Sequence, residues 1–160
     1  MKETPQQYTQ RILSYIEGKE PLAVQTVTAE RLAQLIEGVS TSELRRRPAP
    51  DKWSVSEIIA HLADGEIVGG FRVRFILGSP GSPVVAYDQD KWVTSGHYDK
   101  RDPQKSVELF RVLREANLAL LESPSLSRGS STGCIPNAAR NRSNILCVCL
   151  PGTTSITSSK

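Results

Sequence analysis

Trp53-Ser-Val-Ser-Glu-Ile-Ile-Ala-His61-Leu-Ala-Asp-Gly-Glu66-Ile-Val-Gly-Gly-Phe71-Arg-Val-Arg-Phe-Ile-Leu77 is the strongest structural signal in this chain of 160 residues. Ser54 and Glu57 stand at the spacing at which each side chain can bond the other's backbone N–H, the capping box that opens a helix. Ile58, Leu62, Ile67, Phe71, Phe75 and Ile76 then recur as an apolar series, which predicts one long helix to about Leu77. Gly78-Ser-Pro-Gly-Ser-Pro83 ends it. The helix carries His61. In an amphipathic bundle such a histidine is either a satisfied core residue or one ligand of a set, and the difference decides whether the protein does chemistry.

Upstream, Thr4-Pro5 offers a capping hydroxyl and a proline at the first helical position, with Tyr8, Ile12, Tyr15 and Ile16 on one face and Glu17-Gly18 as the end. A second helix is predicted from Leu22 or Ala23 to Glu37, with Leu32, Leu35 and Ile36 as its apolar face and Gly38 as its stop. Ser40 and Glu43 start a short helical turn that Pro48 and Pro50 close. Downstream, a long connection reaches Asp102; Tyr87, Trp92, His97 and Tyr98 make it too aromatic for a loose linker, so it is expected to pack over the bundle. Asp102-Pro103 then starts a helix to about Leu121, with Val107, Phe110, Leu113, Leu118 and Leu121 inside. The expectation is an all-α fold of three long helices with a long crossover, lacking a fourth helix to close the core. An uncovered apolar face should follow.

The formal charge is +3, but residues 123 to 160 hold four basic side chains and no acid, so residues 1 to 122 carry 16 basic against 17 acidic groups. That balance argues against nucleic acid as a partner. Arg45-Arg46-Arg47 is read as a solvated helix end. No segment reads as a membrane span or a secretory leader, and a cytoplasmic setting is expected. The chain divides into residues 1–122, a helical bundle, and residues 123–160, rich in Ser, Thr, Gly, Arg and Cys and without helical periodicity. Cys134, Cys147 and Cys149 fit neither a zinc spacing nor a disulfide framework.

The tail reads like translation in the wrong register. Moving the frame by two bases over Leu150-Pro-Gly-Thr-Thr-Ser-Ile-Thr-Ser-Ser159 permits Ala-Gly-His-Asp-Ile-Asn-His-Leu. The same shift over Ile135 to Asn144 permits His-Pro-Glu-Cys-Gly-Lys-Glu-Pro-Val-Glu-His, which restores the acids and helix formers the stretch lacks. One free base per codon leaves several choices, and an authentic irregular tail is the alternative.

Lys52 to Glu66, Phe71 to Leu77, Tyr87-Asp-Gln-Asp-Lys-Trp92 and Ser106-Val-Glu-Leu-Phe-Arg-Val-Leu-Arg114 together resemble the DinB/YfiT-like superfamily, over residues 5 to 122. The resemblance implies a four-helix bundle with a long crossover between its second and third helices, and in many cases a homodimer. It also implies a divalent metal, zinc or nickel, held by three histidines: one on the helix that here carries His61, two as His-x-x-x-His on the last helix. Relatives include thiol-dependent transferases and metal hydrolases, so a small-molecule thiol or an electrophilic substrate is the implied partner. Two imidazoles four apart share a helix face, and a third from a facing helix completes a site with positions open for water or a thiolate. Such a metal makes a nucleophile at neutral pH. Only His61 maps onto the trio. Gly152-Thr153 and Ile156-Thr157 stand where the pair would lie, so the catalytic residues are unassigned and tight metal binding is not expected. A non-catalytic binding or dimerisation module is the alternative.

Other candidates have plainer readings beside the functional ones. Glu57 is read as a cap rather than a hydrogen-bond acceptor behind His61. Asp64 either orients the imidazole or serves as a base, or is a solvated polar position. His97 is read as a solvated loop residue. Arg72 and Arg74 are read as pairing with Glu66 or Asp88 rather than binding an acidic substrate, and Trp53 and Trp92 as packing anchors.

Overall fold

The computed structural model describes residues 4–79 and 87–122. Every regular element among them is helical: α1 Pro5–Ser14, α2 Pro21–Ile36, α3 Thr41–Leu44, α4 Val55–Gly78, α5 Gln89–Ser95, a single 3-10 turn Tyr98–Lys100, and α6 Pro103–Leu121. The starts are set by side chains that satisfy the free N–H groups of a first turn. Thr4, Ser40 and Ser54 each form a full capping box. Glu20, Asp88 and Asp102 cap α2, α5 and α6. No helix of the described residues is long and apolar enough to cross a membrane.

The all-α fold and the three long helices α2, α4 and α6 agree with the sequence. Helix α6 lies between the other two, packing along most of α4 and along α2. Ile36, Leu44, Ile59 and Val107 form one core cluster; Ala29, Ala63 and Phe110 form a second, flanked by Leu32 and Leu62. The α6 positions expected inside are buried at Val107, Phe110 and Leu118 and half-buried at Leu113 and Leu121. The tail 123–160, where the fourth helix was expected to be missing, lies outside the described residues, as does the Tyr8 side chain.

Which face of α4 is buried differs from the expectation. Ile58, Ile67 and Phe71 are exposed, Phe71 at 59%, and so are Leu35 of α2 at 75% and Tyr15. The buried face runs through Ile59, Ala60, Ala63, Glu66, Gly70 and Val73. The reason is close approach: small residues let α6 lie directly against α4. At Gly70 an added Cβ would sit 2.3 Å from Asn117 Oδ1. Periodicity of large apolar residues picks out bulk, whereas this interface is built on its lack.

The crossover packs over the bundle as expected, but it contains α5, which the sequence pattern did not reveal. Ala60, Val93 and Tyr98 form its buried contact, with Trp53 and Trp92 packed against them. Both tryptophans are thus the anchors they were read to be.

Candidate functional site

His61 lies in the first half of α4, half-buried, with the Trp53 ring edge-on at a centroid distance of 5.1 Å. Its Nδ1 is buried and without a hydrogen-bond partner among the described residues. Burial pushes the imidazole pKa below its ordinary 6.5, against the opposing charges of Asp64 and Asp90. A buried ring nitrogen that none of the described residues satisfies costs stability.

Asp64 is not the solvated position that one reading allowed. It is buried and accepts from Tyr98 Oη at 2.5 Å and from Arg101 Nη1 at 2.7 Å. The Arg101 guanidinium lies 4.4 Å from the centre of the Tyr98 ring. Burial and the bond to Asp64 both hold the Tyr98 hydroxyl protonated well above its ordinary range. This carboxylate fastens the crossover to α4. Its partners lie 34 and 37 residues away, beyond the reach of any local pattern.

Glu57 is the cap it was read to be, bonding Ser54 N at 2.8 Å. It also pairs with Arg47, so Arg47 is a structural ligand of a buried carboxylate rather than part of a solvated helix end. Burial pushes the Glu57 pKa up, but the bonds from Arg47 and Ser54 outweigh it and hold the group ionised. Arg45 donates to the carbonyls of Lys100 and Arg101. The pairing expected for Arg72 and Arg74 is also replaced: Glu66 is held by Arg114 at 2.7 Å, and Arg74 bonds Asn117 Oδ1 and Gly70 O. Asp88 caps α5 and pairs with Lys91, while Arg72 lies 5.8 Å from the Tyr87 ring centre. His97 is exposed, as expected of a solvated loop residue.

Among the described residues, His61 Nδ1 is one of the buried side-chain atoms with no hydrogen-bond partner. A chain model of the DinB superfamily matches residues 26–144, three quarters of the chain. The chain belongs to the DinB superfamily. The solved structure of YfiT from Bacillus subtilis, described as "a probable metal-dependent hydrolase with an unusual four-helix bundle topology", is similar with a TM-score of 0.58 and 22% identity. The likeness covers 75% of this chain and 63% of that one, so the chain spans less than two thirds of YfiT. At that identity it establishes the shared four-helix-bundle fold. No curated protein matches the chain.

YfiT is described as a probable metal-dependent hydrolase, and the residues of this chain fit such a metal in part. The partnerless Nδ1 of His61 suits one ligand nitrogen. The rest of the set does not fit: no three His, Cys, Asp or Glu side chains converge among the described residues. The other histidine, His97, is exposed in the crossover, and residues 123–160 contain no His, Asp or Glu. The described residues thus offer one neutral imidazole, which by itself does not hold a catalytic metal tightly.

The state of His61 has a pH consequence. Above about pH 6.5 the ring is neutral in both folded and unfolded chains and stability does not depend on it. Below that, the unfolded chain takes up the proton first, because the folded pKa is the lower one, so stability falls as the pH drops through this window. Replacing His61 by Leu is expected to flatten that part of the pH–stability curve and to raise stability at pH 7 by about 1 kcal/mol, since it removes a buried polar atom with no partner. Urea denaturation of both proteins between pH 5 and 8 checks this. A destabilised His61→Leu chain with an unchanged acid slope would show that the ring has a partner after all.

Proposed function

We propose that this chain derives from the metal-dependent hydrolases and thiol transferases of its superfamily and is impaired as written, because one imidazole of the ligand trio is present and the His-x-x-x-His pair is not. The observation that carries this reading is His61: half-buried, with its Nδ1 unpartnered, it keeps the destabilising feature of a ligand without the rest of a site. In this reading the ancestral metal is zinc or nickel and the substrate a small-molecule thiol or an electrophile, handled in the cytoplasm. The tail 123–160 is an out-of-register translation of the fourth helix.

The test is metal content. Full-length protein, purified without chelator and then dialysed against zinc or nickel and washed, is expected to retain well under one equivalent, and to show no hydrolase or thiol-transferase turnover. Stoichiometric metal that survives the wash overturns the proposal. A second reading, a non-catalytic binding or dimerisation module, is favoured by the exposed apolar side chains Leu35, Ile58, Ile67 and Phe71. Analytical ultracentrifugation of the same preparation separates the two: a stable homodimer without metal supports the module.

A further inference from the structure

The segment Tyr87 to Arg101 is the least self-sufficient part of the described fold. Helix α5 has seven residues, too few to be stable alone. Val93 and Tyr98 are its strap's buried apolar side chains, whereas Asp90, Lys91, Thr94, Ser95 and His97 face solvent. His97 joins α5 to the 3-10 turn with a φ of 47°, a left-handed conformation that a residue with a Cβ adopts at a cost. The strap's apolar seat on α4 is the cluster of Val93 and Tyr98 on Ala60 with Trp92 and Trp53 beside it, and its buried polar hold is one carboxylate, Asp64, which takes both the Tyr98 hydroxyl and the Arg101 guanidinium. Arg101 adds a bond from Nε to Gly96 O, tying the strap to itself. Arg45, an exposed side chain, ties its far end through the carbonyls of Lys100 and Arg101, and Arg72 of α4 lies over the Tyr87 ring at its near end.

His61 lies within one turn of Asp64 on α4, and Asp90 in the first turn of α5 is near enough for its charge to act on the ring. Trp53, whose edge meets the imidazole, also packs on the Ala60–Val93–Tyr98 cluster through which the strap is seated. We propose that the crossover is a strap that opens as a unit ahead of the bundle, that it controls access to His61, and that the Asp64–Tyr98–Arg101 clasp sets how often it opens. Elements with few buried contacts open with less free energy than the core they lie on. The clasp is therefore the control point, and the inference holds whether or not His61 ever carries a metal.

The two histidines make the test internally controlled. Carbethoxylation by diethylpyrocarbonate is followed on the full chain, with exposed His97 as the reference and His61 as the reporter, alongside amide hydrogen exchange. Tyr98→Phe removes one clasp bond and leaves the ion pair; Arg101→Gln removes the ion pair. The expected result for either variant is a roughly tenfold faster His61 reaction relative to His97, and a matching rise in α5 amide exchange, with α6 amides unchanged. If α5 and α6 amides accelerate by the same factor, opening is global and the strap is not a unit. If the α5 amides accelerate while His61 does not, the strap does not control access. If Arg101→Gln fails to fold, the outcome with Tyr98→Phe decides.

Discussion

Replacing Arg114 by Met is expected to destabilise the chain by about 3 kcal/mol. Arg114 and Glu66 face each other across the α4–α6 interface at 2.7 Å, with their side chains 14% and 10% exposed. Removing the guanidinium leaves a carboxylate inside that interface with Asn117 Nδ2 as its remaining side-chain donor, at 3.2 Å. The Arg114 side chain also lies on the Phe110 ring, at 4.8 Å from its centre, so the substitution disturbs the packing of the central core cluster as well. Exchanging both partners, Glu66→Met with Arg114→Met, should recover most of the loss, because neither charge is then stranded. Urea denaturation of the two single variants and the double variant gives the coupling directly. A single-variant loss under about 0.5 kcal/mol, comparable to an exposed pair, would mean that water reaches Glu66.

That network also shows where the sequence could be read and where it could not. The helix starts were legible because a cap is local: Ser54 with Glu57, Ser40 with Glu43 and Thr4 ahead of Pro5 all act as their spacing implied. The inner face of α6 was legible because large apolar residues there meet the core at Val107, Phe110 and Leu118. The inner face of α4 was not. Its contact with α6 depends on Ala63 and Gly70 being small and on Glu66 being held by Arg114 and Asn117, partners 48 and 51 residues away. A carboxylate with distant donors looks, in the sequence, like any surface acid. The same holds for Asp64, whose role as the strap's fastening follows from Tyr98 and Arg101 and not from its place beside His61. Helix α5 escaped notice because seven residues are too short to show a helical period. His61 itself was visible as the one candidate ligand, and its unpartnered ring nitrogen is what the structure adds.

Shifting the reading frame of the tail by two bases is expected to have a large functional effect. A two-base shift across codons 150 to 159 permits a His-x-x-x-His run where Gly152, Thr153, Ile156 and Thr157 now stand. Two imidazoles at that spacing share a helix face, and His61 supplies a third from α4. His61 Nδ1 has no hydrogen-bond partner among the described residues, so a ligand role there would displace none of their bonds. The restored chain should therefore take up about one zinc or nickel ion where the present chain retains little, and the metal should raise its melting temperature, since binding to the folded state alone stabilises it. His61→Ala in the restored chain should abolish both effects, whereas His97→Ala should leave both intact. Sequencing the source DNA from codon 118 to 160 says which protein the gene encodes. Bases that spell the pair in frame make the tail an artefact and the gene product a three-histidine metal protein. Bases that spell Thr153 to Lys160 as written leave the chain without the pair, and metal uptake by the full-length protein should then stay well under one equivalent.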